Sequence, residues 1–463
     1  MSERKPARDK LRAHVDARLR RGMPLPSVLL DLIRQLESGA SETWIVGGAV
    51  RDWLLGRDIQ DIDLATAACP GEAASLVRAQ DWAVLPTGLP HGTQTFLHRE
   101  TNKRYEVSSF RGESGYRDRR HPDRVRFGLS FSEDLRRRDF TMNAMAWSPS
   151  RGFRDDCGGL DDLCQRRIRC VGSARERFAE DALRIFRALR FAVELDFSWD
   201  PDTETAMLDG RGGLAQISGE RLREECRRML AVRHLPLARP LRVQAILSRV
   251  LPALDDAEAA ELPNLEARLR WAASLAPDPV LRAAALCIRE ESDLQNGTEN
   301  APAVRRARAL SRNLRLSGRA RERILQLLRI AAQDFPADNY HLRRQRLEAD
   351  DNLLQSAWQI RLAVLGAKRR TAFAAWEAAS GQLARLAESE APLTLNALEI
   401  GGEVLGALGY RGREIGRELR ALQDRVLRDR LPNARTELLD AAKKDRPTTS
   451  EEAGGRLSDR EGL

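Results

Sequence analysis

The feature that most constrains this chain is a change of hydrophobic period near residue 176. Before it, short apolar runs alternate or end in glycine. Trp44-Ile45-Val46 closes on Gly47-Gly48, a strand followed by a turn, and Val50–Leu55 then starts a helix. Asp61-Ile62-Asp63-Leu64 alternates with period two, and Thr93–His98 and Arg104–Phe110 are further strand candidates. Leu29–Leu36 is amphipathic at helical spacing, residues 1–22 are a charge-rich lead-in, and the Gly-, Arg- and Asp-dense segment 112–128 reads as a mobile loop. After residue 176 apolar positions recur at helical spacing and β-branched runs largely vanish. Residues 176–290 and 303–380 read as successive helices, Glu291–Ala303 as a linker, and Thr394–Ala442 as a last helical unit. In that unit Ile415, Leu419, Leu422 and Val426 make one apolar stripe. The polar end, Arg446–Leu463, is expected to be disordered. The pattern predicts an α+β head on an all-helical remainder.

Composition narrows the class. At about 150 residues per domain, 463 residues suggest three units. A 42% hydrophobic content supports real cores and excludes wholesale disorder. No run approaches the ~20 apolar residues of a spanning helix, so no membrane partner is expected. Met1–Pro24 carries no apolar h-region, so no secretory signal is expected there. The six cysteines form no CxxC pair, which argues against a zinc site or a disulfide framework and for reduced thiols in a cytoplasm. The net charge is +9, and of 77 cations only six are lysines. Arginine forks suit bidentate phosphate contact. That balance is compatible with nucleic acid, nucleotides or anionic lipid, and equally with codon bias toward arginine.

The chemistry concentrates in the head. On a strand, alternate side chains share a face, so Asp61 and Asp63 point the same way. Convergent carboxylates suit Mg²⁺, which takes oxygen ligands and favours phosphate as co-ligand. Gly47-Gly48 lets backbone N–H groups approach an anion, the following helix start adds favourable partial charge, and Arg51 can add a charge-assisted bond. Glu106 is either a third carboxylate for the same metals or a strand-end ion pair. His91-Gly92-Thr93 is either a turn near the phosphates or purely structural.

These residues form a set. Val46-Gly47-Gly48-Ala49-Val50-Arg51-Asp52 followed by Asp61-Ile62-Asp63 resembles the first motif of the class II tRNA nucleotidyltransferase and poly(A) polymerase family. Glu133-Asp134-Leu135-Arg136-Arg137-Arg138-Asp139-Phe140-Thr141-Met142-Asn143-Ala144 is similar to its second motif. Asp156-Cys157-Gly158-Gly159 with Asp161-Asp162-Leu163 is similar to the third, and Glu180-Asp181-Ala182-Leu183-Arg184, continuing to Arg187, Arg190 and Phe191, resembles the fourth. The motifs stand in the family's order and spacing over about 40–240, with a weaker match over about 390–445.

The resemblance implies a nucleotidyltransferase head with a mixed β-sheet over 23–148, a neck with a nucleotide-selecting helix over 149–240, a helical body over 241–390 and a tRNA-binding helical tail over 391–445. Asp61 and Asp63 would hold two Mg²⁺ ions, with Glu106 a further candidate. Gly48 and Arg51 would meet the triphosphate, and Arg137, Arg138, Asp139 and Asn143 the ribose and phosphates. One of Arg136, Arg137 and Arg138 is expected to be merely solvated. Asp181 and Arg184 would pair with the Watson–Crick edge of the incoming base, accepting CTP and ATP as substrates. On one helix, Asp181, Arg184 and Arg187 fan over about 120° with Arg190 roughly opposite Asp181. The alternative there is a simple Asp181–Arg184 salt bridge. The loop Arg111–Gly128 is similar to the flexible loop of full CCA-adding enzymes. The implied activity is addition of C, C and A to tRNA 3′ ends. An A-adding enzyme working with a separate CC-adding partner, a poly(A) polymerase and a catalytically inactive tRNA-binding protein are the competing readings. No appended His-Asp metal domain is expected.

Overall fold

The structure, a computed structural model, describes residues 4–39, 41–114, 124–233, 264–295, 300–366, 369–389 and 394–446, with 246 and 298. The chain divides into two units, one of Met1–Arg282 with Arg306–Gly318 and the other of Ala283–Arg305 with Arg319–Leu463.

The first unit begins with helices α1 (Arg4–Arg21) and α2 (Ser27–Glu37), then strand β1 (Thr43–Val46), α3 (Gly48–Leu55), β2 (Asp63–Thr66), α4 (Pro70–Leu76), β3 (Trp82–Gly88), β4 (Thr93–His98) and β5 (Arg104–Ser109). A short ribbon, β6 (Arg111–Ser114) and β7 (Arg124–Phe127), leads to α5 (Phe131–Arg136), β8 (Ala146–Ser148) and β9 (Gly152–Arg154). Seven strands form one sheet in the order β3-β4-β5-β2-β1-β8-β9. It is mixed: β2 and β5 run parallel and the other neighbours antiparallel. All four residues of β1 are buried, as suits a central strand covered on both faces. Trp44 and Val46 point into a cluster with Phe110, Phe131 and Leu135, where Trp44 stacks on Phe131 at 4.9 Å between ring centroids. Such a stacked pair contributes about 0.5–1.5 kcal/mol beyond its buried area.

The ladder explains where the acidic pair sits. β1 pairs with β2 from Thr43↔Thr66 to Val46↔Asp63 and then leaves the sheet at Gly47. Residues before Asp63 therefore have no β1 strand to pair with. β2 starts at Asp63, and Asp61 lies just ahead of it rather than on it. The expected mobile loop is also partly ordered. Residues 111–114 and 124–127 pair in register as β6 and β7, while its tip, with Tyr116 to Pro122, lies outside the described residues.

The segment expected as a neck follows, within the same unit, as α6 (Gly159–Cys164), β10 (Arg167–Ile168), α7 (Ala174–Glu180), α8 (Leu183–Leu195), β11 (Ser198–Trp199), α9 (Pro201–Gly210) and α10 (Gly219–Leu230). It is not all-helical, because β10 and β11 form a two-stranded parallel pair and Phe140 bridges to Cys170. α8 buries Ile185, Phe186, Ala188 and Leu189, the large ones each contributing about 1.5–3 kcal/mol. Its Arg187 reaches Asp139, and Arg187 and Arg190 both reach Glu225 on α10.

The second unit is helical among its described residues. The described residues of the Glu291–Ala303 segment include a short 3-10 turn at Glu291–Leu294 and the start of the helix Pro302–Asn313, while Asn296, Gly297 and Glu299 lie outside the described residues. The last helices, Gly402–Ala407, Arg413–Leu427 and Arg435–Lys444, close on a core of Leu405, Tyr410, Leu422, Leu438 and Ala442. Ile415, Leu419 and Val426 pack against this core as the apolar stripe predicts. Residues 447–463 lie outside the described residues. No helix among the described residues is long and apolar enough to cross a membrane.

Candidate active site

A cavity of about 2050 Å³ opens in the first unit, between the start of α3, the Asp61–Asp63 segment, β5, the end of α5, α8 and α10. Every candidate residue for metal or nucleotide lines it: Gly48, Arg51, Asp61, Asp63, Glu106, Arg137, Arg138, Asp139, Asn143, Asp181, Arg184, Arg187 and Arg190. His91 does not. It ends a 3-10 turn at Gly92, whose φ of +70° and contact with the Phe127 ring (2.3 Å from an added Cβ) make that position glycine for backbone and packing reasons. Arg136 is exposed and outside the cavity, so it is the solvated member of the arginine triplet.

One wall is acidic. The parallel pairing of β2 and β5 sets Asp63 directly opposite Glu106, and Asp61 joins them from the irregular segment just before β2. Among the described residues no side-chain hydrogen bond or ion pair engages Asp61, Asp63 or Glu106. Asp63 is exposed to the cavity at the first position of β2, and its carboxyl is pushed up to about 6 by desolvation, then by the negative charge of Glu106 and of Asp61, with Arg138 opposing. Among the described residues no three such groups already stand within joint coordinating reach of an ion. Acceptor-only oxygens in surplus over nearby cations nonetheless fit a hard divalent cation that brings its own charge.

The turn into α3 supplies the opposite chemistry. Gly47 has φ +74° and ψ −134°, a conformation that side chains rarely adopt, and an added Cβ would meet Arg138 Nη1 at 3.4 Å. The Arg51 guanidinium is buried and pre-set. Its Nη1 donates to Asn143 Oδ1 at 2.7 Å, its Nε and Nη2 donate to Asp52, and Phe191 lies 4.9 Å beneath it. Arg137 and Arg138 are held by Asp134, which is only 1% exposed, at 2.7 and 3.2 Å.

The floor is a closed circuit of charge. Asp52 accepts from Arg51, Arg51 donates to Asn143, and Asn143 donates to Asp139. Asp139 pairs with Arg187, Arg187 with Glu225, Glu225 with Arg190, Arg190 with Glu194, Glu194 with Arg57, and Arg57 returns to Asp52. Burial alone would raise Asp139, but Arg187 and the Asn143 hydrogen bond hold it down at about 2. The third motif braces this floor from below. Asp155 accepts from the Gly159 and Leu160 N–H groups at the start of α6. Fully buried Asp162 accepts from Arg167, Arg169 and the Thr141 hydroxyl.

The fourth motif is arranged differently from a single helix. Asp181 ends α7 in extended conformation, and its carboxylate accepts from Leu183 N–H at 3.0 Å, opening α8. The continuous fan from Asp181 to Arg190 therefore does not form. Asp181 pairs with Arg221 rather than Arg184, and Arg184 pairs with Glu180. Arg190, 3% exposed, stacks over Phe191 at 3.9 Å and serves the floor through Glu225 and Glu194. Arg221 and Glu225 escaped sequence reasoning. In Glu220-Arg221-Leu222-Arg223-Glu224-Glu225 they look like a solvated helix face, and only their i, i+4 spacing hints that both project together.

Residues 43–169 match the sequence family described as the poly(A) polymerase head domain. The site and the mixed sheet thus define a head of that type. Among curated proteins the chain is 44% identical over 204 residues to a CCA-adding enzyme of Lactobacillus johnsonii, covering 43% of this chain and 50% of that one. It is 43% identical over 242 residues to one of Geobacillus thermodenitrificans, covering 52% and 58%. The chain therefore spans about half the length of the curated relatives it matches. The structure of Bacillus stearothermophilus CCA-adding enzyme in complex with CTP superposes with a TM-score of 0.67 at 30% identity, covering 91% of this chain and 98% of that one. A Thermotoga maritima CCA-adding enzyme complexed with tRNA shares the fold at TM-score 0.58 and 20% identity. The chain belongs to the CCA-adding enzyme family of nucleotidyltransferases.

Proposed function

We propose that this protein adds C, C and A to the 3′ ends of tRNA from CTP and ATP, without a nucleic-acid template, and releases pyrophosphate. The observation that carries the reading is the cavity itself, lined by Asp61, Asp63 and Glu106, which have no side-chain partner among the described residues, by the paired arginines Arg51, Arg137, Arg138 and Arg187, and by Asp181. Asp61 and Asp63, with Glu106 beside them, would hold Mg²⁺. When bound, the metal supplies charge neutralisation at the attacking and leaving oxygens of an in-line displacement. The tRNA 3′-hydroxyl oxygen bonds to the α-phosphorus as the bond to the bridging oxygen breaks, and the hydroxyl proton is lost to solvent.

The chain's own residues do the positioning. The Gly48 backbone and Arg51 contact the triphosphate, and Arg137, Arg138, Asp139 and Asn143 hold ribose and phosphates. Asp181 accepts from an exocyclic amine, which C and A present and U and G replace with a carbonyl. Arg184 and Arg187 donate to the base edge. Arg190 supports them from the floor. The head over 23–148, the neck over 149–240, the body over 241–390 and the tail over 391–445 divide this work, the tail contacting tRNA by shape and phosphate. Cytoplasmic residence accords with six free cysteines.

The test supplies tRNA transcripts ending at the discriminator base or in CC with CTP, ATP or both, and sizes products to one nucleotide. CCA on the first transcript is the expected result. Extension of only the CC-ended transcript by one A would overturn it in favour of an A-adding enzyme. Asp61→Ala and Asp63→Ala are each expected to lower incorporation by at least about 10³-fold without unfolding the protein.

A further inference from the structure

Asp181 is not free to turn. Both its carboxylate oxygens are engaged by the arms of one guanidinium, Arg221 Nη2 to Oδ2 at 2.6 Å and Arg221 Nη1 to Oδ1 at 3.2 Å. Oδ1 also accepts from Leu183 N–H at 3.0 Å. An ionised carboxylate offers about four lone-pair sites, so three donors leave roughly one. The side chains of Asp181 and Arg221 are 16% and 25% exposed, and both line the cavity. The pair is therefore accessible to a ligand yet fixed in direction.

The helix carrying Arg221 is itself pinned at both ends. At the start of α10, Gly219 sits so close to the Asn313 carbonyl that an added Cβ would approach it to 2.1 Å, and Glu220 pairs with Arg315. At its end, the fully buried Arg282 donates to the carbonyls of Leu230 and Val232. Four residues beyond Arg221, Glu225 receives Arg187 and Arg190. α10 thus acts as a fixed strut that orients the neck's side chains toward the cavity.

We propose that Arg221 is a specificity-determining positioning residue: its two-armed hold on Asp181 leaves a single acceptor direction, aimed into the cavity, for the exocyclic amine of an incoming base. A base carrying a carbonyl at that edge meets an acceptor that cannot rotate away and cannot donate. An amine-bearing base completes the carboxylate's set of donors. The inference rests on the reading of Asp181 as the residue that meets the base. It adds that discrimination depends on how the carboxylate is held and not only on its presence.

The experiment measures kcat/KM for CTP and for UTP on a tRNA transcript ending at the discriminator base. It uses the full-length wild type, Arg221→Ala, Arg221→Lys, Asp181→Ala and the Asp181→Ala/Arg221→Ala double variant. Arg221→Ala is expected to narrow the CTP/UTP ratio by about 10- to 100-fold. Arg221→Lys, a cation without the fork, should give an intermediate ratio. The double variant should discriminate no worse than Asp181→Ala alone, because Arg221 acts through Asp181. Equal losses of CTP and UTP use in Arg221→Ala, leaving the ratio unchanged, would reduce Arg221 to a scaffold role and overturn the proposal. So would a further loss of discrimination from Arg221→Ala in the Asp181→Ala background. If Arg221→Ala does not fold, Arg221→Lys and equilibrium binding of CTP against UTP carry the same comparison. Wild-type discrimination retained by Asp181→Ala would instead remove the underlying reading of Asp181, an outcome separate from any behaviour of Arg221.

Discussion

At the scale of single residues, Asp63 stands exposed to the cavity at the start of β2, beside two other carboxylates. Its carboxyl is raised to about 6 by desolvation and by the negative charge of Glu106 and Asp61. The folded state therefore binds that proton more tightly than the unfolded chain, whose aspartates titrate near 3.9. Stability is lost as pH rises through 6 and regained as it falls toward 4. Because solvent screens an exposed carboxylate, Asp63→Asn should raise the melting temperature only slightly in metal-free buffer at pH 7, with the gain shrinking between pH 6 and 4. Added Mg²⁺ should stabilise the wild type and not the variant. A variant less stable than wild type in metal-free buffer at pH 7 would count against the crowded-carboxylate account. These two aspartates were legible in the sequence, because the Asp-x-Asp spacing follows a glycine turn and Arg51. The partners of the arginines were not. Nothing in sequence spacing says that Arg51 meets Asn143 or that Arg221 meets Asp181, since those contacts close over long chain separations.

At the scale of elements, helix existence was readable and helix continuity was not. The apolar period runs across Glu180-Asp181-Ala182, yet Asp181 takes an extended conformation and accepts from the first turn of α8. An aspartate side chain can accept from a backbone N–H two residues on, and that local bond wins over the period. The junction between the second motif and α8 depends on the Asp139–Arg187 pair at 2.8 Å. With Asp139 held at about 2, well below its unfolded value, the pair stabilises the fold above about pH 4, and that contribution is lost as pH falls through 2. Urea unfolding should show Asp139→Asn destabilised at pH 7, with the gap to wild type closing as pH falls from 4 to 2. The third motif tests packing instead of charge. An added Cβ at Gly159 would lie 2.2 Å from the Thr141 carbonyl oxygen, which is backbone and cannot swing aside. Gly159→Ala should cost about 1–3 kcal/mol in unfolding free energy by forcing α6 away from that segment. An unchanged midpoint would mean the brace is dispensable.

At the scale of the whole molecule, the excess of arginine divides into two populations. One set is spent within the cavity, paired to Asp52, Asp134, Asp139, Glu225 and their neighbours. Another is solvent-facing. Arg413, Arg417 and Arg420 are exposed on the helix Arg413–Leu427, away from its buried Leu422. Net charge alone could not separate these sets, which is why composition suggested a partner class without locating it. If the tail meets tRNA phosphates, replacing these three by alanine should raise KM for tRNA, leave KM for CTP unchanged, and flatten the salt dependence of tRNA binding by up to about one logarithmic unit per lost contact. Equal effects on both substrates would argue for a structural role.

The circuit beneath the cavity has a property that follows from its closure. A chain of contacts is severed by any one break, but a loop stays connected through its other side. Removing Asn143 or Glu225 singly leaves Arg51 and Arg187 joined by the remaining path through Arg190, Glu194 and Arg57, or through Asp139. Two breaks on opposite arcs isolate the segments between them. Paired substitutions on the two arcs should therefore do more damage than their separate effects sum to, whereas two breaks beside each other should do little more than one.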